Sequence, residues 1–193
     1  MWTIPNQVTL FRIVLIPVFV LVFYLPISWS HFGAFVVFWF AAVSDAVDGY
    51  LARKLNQSSA FGAFIDPVAD KLMVVCALAM LIEDYGVWYI TIPAALMISR
   101  EIFISALREF MSSRGKREDV AVSNSGKYKT AAQMLGIMGL IWQPTYDIPF
   151  IFFNIPQEFF MFLTFSLYFI ATILTFTSMW TYFKAALPEL KAK

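Results

Sequence analysis

Charged residues are scarce in this sequence of 193 residues, where they make up only 14% against 60% hydrophobic residues. Soluble globular domains carry about 25% charged and 45–50% apolar residues. So few polar side chains cannot cover a water-soluble globule, and a mean hydropathy of +0.71 places most of the surface in lipid. The composition therefore excludes both a compact soluble fold and a disordered chain.

Cysteine and histidine are almost absent, with one residue of each. The single Cys76 cannot form an intrachain disulfide, and its apolar neighbours are typical of a small buried hydrophobic residue. His31 has no second histidine or acidic cluster near it in the sequence, which argues against a metal site at that position. A net charge of only +1 gives no reason to expect nucleic acid as a partner.

Long apolar runs are what the sequence has in abundance. A helix needs about 20 apolar residues to cross the roughly 30 Å hydrocarbon core of a membrane. Six such windows are present, near residues 8–27, 32–53, 61–82, 87–111, 127–144 and 158–183. We therefore expect an all-α integral membrane protein, a bundle of six transmembrane helices in one membrane domain over 1–193. Residues 1–9 are short and amphiphilic, and predict an N-terminal segment in the membrane interface.

Lysine and arginine are confined to one side of these predicted spans. The connections 28–31, 83–86 and 145–157 contain neither residue, whereas the basic residues at span ends and in the other connections share the opposite side. Because short cytoplasmic loops carry an excess of basic residues, this distribution places both termini in the cytoplasm.

Four carboxylates, those of Asp45, Asp48, Asp66 and Asp70, lie within or at the inner ends of the second and third spans. A charge at membrane depth costs roughly 2.5–3.5 kcal/mol on insertion scales, so these four need compensation. Their spacings of three and four residues place each pair on one helix face. Four clustered carboxylates would repel unless cations lie among them, and all-oxygen ligation favours two Mg²⁺ or Mn²⁺ ions. Asp45 precedes the interfacial Arg53 by about 12 Å of helix, which predicts a site at headgroup level in the inner leaflet.

Small residues accompany the aspartates, and either leave room for a ligand or let the two spans pack closely. The full pattern reads Asp45-x-x-Asp48-Gly49-x-x-Ala52-Arg53, eight residues, Gly62, three residues, Asp66, three residues, Asp70. Its eight specified positions resemble the signature of the CDP-alcohol phosphotransferase family, with no change of spacing. The N-terminal Pro5-Asn6-x-x-Thr9-x-x-Arg12 and the segments SREIFISALRE and GKYKTAAQM extend this resemblance over nearly the whole chain. The chain is most similar to the bacterial members that make phosphatidylglycerophosphate.

The resemblance implies a reaction and a role for each residue of the pattern. Family members transfer a phosphatidyl group from CDP-diacylglycerol to an alcohol and release CMP. The implied substrates are CDP-diacylglycerol and sn-glycerol 3-phosphate, and the implied enzyme is a homodimer in the bacterial inner membrane with its active site facing the cytoplasm. Asp45, Asp48, Asp66 and Asp70 would hold the two divalent ions, and Asp70 would also act as general base. The implied contacts to CDP-diacylglycerol are Asn6, Thr9, Gly49, Ala52, Arg53, Ser59 and Gly62.

Basic residues in the fourth and fifth spans suggest the acceptor. These residues are Arg100, Arg108, Lys127 and Lys129, and their positive charge on the aspartates' side suits an acceptor that bears a phosphate. Anchoring at the cytoplasmic interface is the favoured alternative for Lys129, but not for Arg100, which lies well inside an apolar span. Lys127 and Lys129 are about 200° apart on a helix, so we expect only one to face the site. Lys71 and Glu101 are similarly deep, and we expect them to form a structural ion pair.

Two other functions stay open on the sequence alone. A sibling enzyme would use serine, inositol phosphate or another alcohol as acceptor. A divalent-cation or proton-coupled transporter would also place acids within the membrane. Against transport, the outer parts of the second and third spans, FGAFVVFWFAAV and LMVVCALAMLI, offer no polar step towards the other face. A lipid-binding scaffold would leave the four clustered acids unexplained.

Overall fold

The computed structural model describes residues 4–55, 60–116, 124–149 and 154–191. Within these ranges the chain forms six α-helices and one pair of very short strands. The elements are α1 Ile4–Phe23, α2 Ser30–Leu55, α3 Ala60–Tyr85, α4 Trp88–Ser113, α5 Asn124–Trp142, β1 Ile148–Pro149, β2 Asn154–Ile155 and α6 Gln157–Lys191. The expected all-helical class is confirmed.

Two of these helices are long and apolar enough to cross a membrane: α4 over Trp88–Ser113 and α6 over Gln157–Leu190. Shorter apolar stretches occupy Gln7–Phe23 and Ser30–Ser44 in the first two helices. Across the part of the chain that the structure describes, these helices are consistent with a membrane protein. The full six-span topology and the cytoplasmic termini stay predictions.

The predicted interfacial segment is helical from Ile4 onward. Residues 4–9 form the first turns of α1, which continues without a break into the apolar run from Gln7 to Phe23. Pro5 is compatible with this position because the first turn of a helix has no intrahelical partner for a backbone N–H. Residues 1–3 lie outside the described residues.

The contacts divide the described residues into two compact units. Unit 1 contains the described residues within 1–80 and 138–161, and unit 2 contains those within 81–137 and 162–193. The two units contain different predicted site residues. All four predicted metal-binding aspartates belong to unit 1. The basic residues proposed for the acceptor belong to unit 2.

Unit 1 is built on the packing of α1 against α2. The ring of Phe19 lies 6.0 Å from that of Phe38, and the ring of Phe23 lies 4.9 Å from that of His31. His31 Nδ1 is 3.2 Å from the carbonyl oxygen of Ile141, as expected for a hydrogen bond in which the ring N–H donates. These contacts give His31 a structural role at the end of unit 1 where α2 begins.

The connection before α6 contains the strand pair, in which Ile148 pairs with Ile155 in antiparallel register. Asp147 Oδ1 accepts a hydrogen bond from the Gln157 backbone N–H at 3.0 Å. Because the first N–H groups of a helix have no intrahelical acceptor, this carboxylate stabilises the start of α6.

Unit 2 brings α4, α5 and α6 together. The Tyr168 hydroxyl of α6 donates a buried hydrogen bond to the Ile90 carbonyl of α4 at 3.0 Å. Gly136 of α5 lies so close to α6 that a Cβ atom there would be 2.8 Å from the Tyr168 backbone nitrogen. At the other end of the unit, Lys116 forms an ion pair with Glu189.

Candidate active site

The four aspartates lie on two helices of unit 1, as the sequence predicts. Asp45 and Asp48 belong to the second half of α2, and Asp66 and Asp70 to the first half of α3. The helical backbone puts each pair on one helix face, because residues three or four apart are neighbours there. Their side chains lie outside the described residues, so their convergence stays a prediction. Among the side chains that are described, no group of three or more His, Cys, Asp or Glu could hold a metal ion.

The chemistry of this donor set fits two hard divalent cations. Four carboxylates supply only oxygen ligands and four negative charges, which suits Mg²⁺ or Mn²⁺ better than Zn²⁺. Both helices carry the pairs within apolar sequence, where unpaired carboxylates are unfavourable. The donor set therefore fits the divalent ions that the sequence predicts.

The residues predicted to contact the nucleotide are only partly described. Thr9 is 1% exposed and Gly62 is buried, so both belong to the interior of unit 1. Four of the remaining predicted contacts lie in described helices, but nothing is described beyond their backbone: Asn6, Gly49, Ala52 and Arg53. Ser59 lies outside the described residues altogether. Their binding roles stay predictions.

Arg12 is a residue whose burial the sequence did not reveal. Its position near the start of the first span is typical of an interfacial anchor. In the structure its side chain is 1% exposed and lies one helical turn from Thr9, on the same side of α1. Its buried guanidinium thus lies in the interior of unit 1, next to one of the predicted nucleotide contacts. One indication of this burial is present in the sequence: Arg12 follows Thr9 by three residues, which puts both on the same side of a helix.

In unit 2, a buried basic cluster is formed by Arg100, Glu101 and Lys129. Arg100 Nη1 donates to Glu101 Oε1 at 2.7 Å, and Lys129 Nζ donates to the same oxygen at 3.4 Å. The side chains of Arg100, Glu101 and Lys129 are 13%, 19% and 4% exposed. The structure therefore places Lys129 inside the unit instead of at an interface, and gives Glu101 two basic partners that lie in its own unit.

The other two predicted acceptor residues differ from these. Arg108 lies two turns after Arg100, with its guanidinium carbon 5.5 Å from the centre of the Tyr182 ring. Its Nε is buried and has no hydrogen-bond partner among the described residues. Lys127 belongs to α5, but its side chain lies outside the described residues. Arg108 is thus a separate, partly buried cation stacked on an aromatic ring.

Comparison with known proteins decides the family. The model of the CDP-alcohol phosphatidyltransferase family matches residues 2–183. The chain belongs to the CDP-alcohol phosphatidyltransferase family. It is therefore an enzyme of this type. Enzymes of this family make membrane lipids, and the two long apolar helices agree with a membrane protein.

Individual relatives of this CDP-alcohol phosphatidyltransferase are similar over almost their full length. A protein of Escherichia coli (strain K12) is 51% identical over 189 residues, which cover 98% of this chain and 97% of the relative. A protein of Shigella flexneri serotype 5b (strain 8401) shows the same identity and coverage. Both relatives are named CDP-diacylglycerol--glycerol-3-phosphate 3-phosphatidyltransferase.

Proposed function

We propose that this enzyme transfers the phosphatidyl group of CDP-diacylglycerol to sn-glycerol 3-phosphate, which gives phosphatidylglycerophosphate and CMP. The observation that carries the proposal is the 51% identity, over 98% of the chain, to relatives named for this reaction. The unbroken pattern from Asp45 to Asp70 supports the same chemistry, because it supplies the carboxylates that transfer of a phosphoryl group requires.

The reaction is a single displacement at one phosphorus atom. A hydroxyl oxygen of glycerol 3-phosphate forms a bond to the phosphorus that carries diacylglycerol, and the bond from that phosphorus to the bridging anhydride oxygen breaks. CMP leaves with the bridging oxygen and the electron pair. The hydroxyl proton passes to the carboxylate of Asp70. No covalent intermediate with the enzyme is required, and a trapped phosphatidyl-enzyme adduct would contradict the mechanism.

The remaining residues of unit 1 bind and orient the nucleotide. Asp45, Asp48, Asp66 and Asp70 would hold two divalent ions, Mg²⁺ or Mn²⁺, which neutralise charge on the attacking and leaving oxygens when bound. Arg53 grips the diphosphate through a bidentate contact. The small side chains at Gly49, Ala52 and Gly62 leave room for the nucleotide, while Asn6, Thr9 and Ser59 contact it.

The basic residues of unit 2 recognise the acceptor phosphate. Arg100 and Lys129 share one carboxylate, so their cluster carries a net positive charge that suits a phosphate. Arg108 adds a third, partly buried cation, and Lys127 is the fourth residue assigned to this role. An acceptor without a phosphate, such as serine, would leave the excess positive charge of these residues without an anion. We infer further that the enzyme is a homodimer of the bacterial inner membrane with its site facing the cytoplasm.

The test is an assay of purified protein with CDP-diacylglycerol, Mg²⁺ and a panel of labelled acceptors. We expect lipid product from glycerol 3-phosphate and little from serine or inositol phosphate. Asp70→Asn should lower turnover by orders of magnitude while CDP-diacylglycerol still binds in part. Asp84→Asn is the matched control, because Asp84 lies on the same helix but is exposed near its far end.

The same assay separates the alternatives. Removal of divalent ions with EDTA should abolish turnover, and Mg²⁺ or Mn²⁺ should restore it. Product from serine or inositol phosphate alone would assign the chain to a sibling reaction. Uptake of divalent ions into vesicles without any lipid product would instead favour a transporter.

A further inference from the structure

Unit 2 contains a cavity of about 390 Å³ between α4 and α6. Its walls are mainly apolar and include Leu96, Phe103, Phe176, Met179, Trp180 and Phe183. This volume falls in the range of pockets that take small ligands. All of its lining residues belong to unit 2, and none is an aspartate of the metal pattern or a predicted nucleotide contact. One of them, Arg100, is also a predicted acceptor contact.

Two polar atoms in the wall of this cavity have no hydrogen-bond partner among the described residues. They are the hydroxyl oxygen of Thr175, a residue that is only 2% exposed, and Nε of Arg100. Thr172, one turn earlier, instead donates its hydroxyl to the Tyr168 carbonyl. A buried polar atom without a partner is unfavourable, because it has lost its hydrogen bonds to water. The two atoms therefore indicate a ligand with an oxygen that accepts hydrogen bonds.

The charge around the cavity is positive. Arg100 and Lys129 share the single carboxylate of Glu101, which leaves one positive charge in excess. At one end of the cavity, Lys184 Nζ lies 5.3 Å above the Trp180 ring. Tryptophan and lysine together are typical of the headgroup region of a membrane.

The cavity is elongated along α6. Its lining residues extend from Thr172 to Phe183, which corresponds to about 16 Å at 1.5 Å per residue. The rings of Phe103, Trp180 and Phe183 meet at one end, with centroids 6.1 Å apart for each contacting pair. An apolar slot of this length suits an acyl chain better than a small polar metabolite.

We propose that this cavity binds a resident anionic membrane phospholipid. One acyl chain lies along the apolar walls, and an ester or phosphate oxygen of the lipid accepts hydrogen bonds from the Thr175 hydroxyl and Arg100 Nε. The assignment shares Arg100 with the acceptor role proposed above, but it names a resident lipid as the ligand instead of glycerol 3-phosphate.

The experiment uses the full-length protein in mixed micelles of phosphatidylcholine with increasing fractions of phosphatidylglycerol that carries brominated acyl chains. Bromine quenches tryptophan fluorescence at close range, and the Trp180 signal is the difference between the protein and its Trp180→Phe variant. We expect quenching that saturates at a low fraction of phosphatidylglycerol. Brominated phosphatidylcholine should require a clearly higher fraction.

Thr175→Val removes the hydroxyl while it preserves the shape of the side chain. It should raise the half-saturating lipid fraction about three- to tenfold, the effect of one lost hydrogen bond. Thr177→Val is the matched control, because the exposed Thr177 hydroxyl bonds to the Leu174 carbonyl instead. Ser99→Phe places a ring in the cavity and should remove the saturable quenching.

Two results would overturn the proposal. The first is quenching without specific binding: it would rise in proportion to the lipid fraction, or it would have the same midpoint in Thr175→Val and in Thr177→Val. The second is one-for-one displacement of the brominated lipid by CDP-diacylglycerol, which would assign the cavity to the substrate.

Discussion

Glu101 Oε1 accepts hydrogen bonds from both Arg100 Nη1 and Lys129 Nζ. One carboxylate thus stabilises two cations, each at least 87% buried, in a region of apolar sequence. Loss of one member of a buried ion pair is strongly destabilising, since it leaves an uncompensated charge behind. The three side chains are therefore expected to behave as one electrostatic group.

Glu101→Gln should lower the free energy of unfolding by about 3 kcal/mol, because both cations would lose their counter-charge. Removal of one cation in the same background, in the double variant Glu101→Gln with Lys129→Met, should recover part of that loss. Thermal unfolding in detergent measures both effects. Glu109→Gln is the control, since Glu109 lies exposed on the same helix. Equal losses of unfolding free energy in Glu101→Gln and Glu109→Gln would contradict the role given to Glu101.

The sequence predicts single residues well where their chemistry conflicts with their surroundings. Arg100 is such a residue, since an arginine inside an apolar span needs a partner. Its partner in the structure, Glu101, is the next residue of the same helix. The partners of Glu101 from other helices depend on which helices pack together, which is why the sequence suggests Lys71 while the structure gives Lys129. Arg12 shows the opposite limit: a basic residue near a span end has the same local pattern whether it is buried or interfacial.

At the scale of elements, the contact between α5 and α6 depends on a residue without a side chain. A Cβ atom at Gly136 would lie 2.8 Å from the Tyr168 nitrogen and 3.0 Å from its Cα. Small residues allow this close approach of helix backbones in membranes. The Tyr168 hydroxyl in turn bonds to the Ile90 carbonyl, so the same residue connects α6 to α4.

Gly136→Ala should therefore force α5 away from α6 and lower the free energy of unfolding by about 1–3 kcal/mol. Thermal unfolding in detergent tests this. Gly33→Ala is the comparison, because the nearest atom there, at 2.9 Å, belongs to the Val22 side chain and not to a helix backbone. An unchanged unfolding temperature for Gly136→Ala, or a larger loss for Gly33→Ala, would contradict the close packing.

The apolar windows of the sequence predict the helices, but no sequence pattern predicts the two short strands. Each predicted span overlaps one observed helix, since about 20 apolar residues are sufficient to specify a helix in lipid. The two-residue strands at 148–149 and 154–155 are too short to produce a recognisable alternation in the sequence. The carboxylate pattern also follows from the sequence, whereas the cavity between α4 and α6 depends on tertiary packing.

For the whole molecule, the distribution of basic residues predicts which ends of the helices face the cytoplasm. In a Cys76→Ala background, a cysteine at Tyr146 should react with a membrane-impermeant maleimide on intact spheroplasts. A cysteine at Ser113 should react only after permeabilisation. Both positions are exposed in the structure, so accessibility within the protein does not distinguish them. The reverse labelling pattern would contradict cytoplasmic termini.

The position of Glu101 next to Arg100 also bears on how the chain enters the membrane during synthesis. Adjacent opposite charges let α4 insert as a nearly neutral segment, whereas α5 arrives later with Lys129 and no acid of its own. That lysine is unfavourable in hydrocarbon until it reaches α4. On the predicted six-span topology, we therefore expect α5 to leave the translocation channel alongside α4, where Glu101 supplies the counter-charge for Lys129.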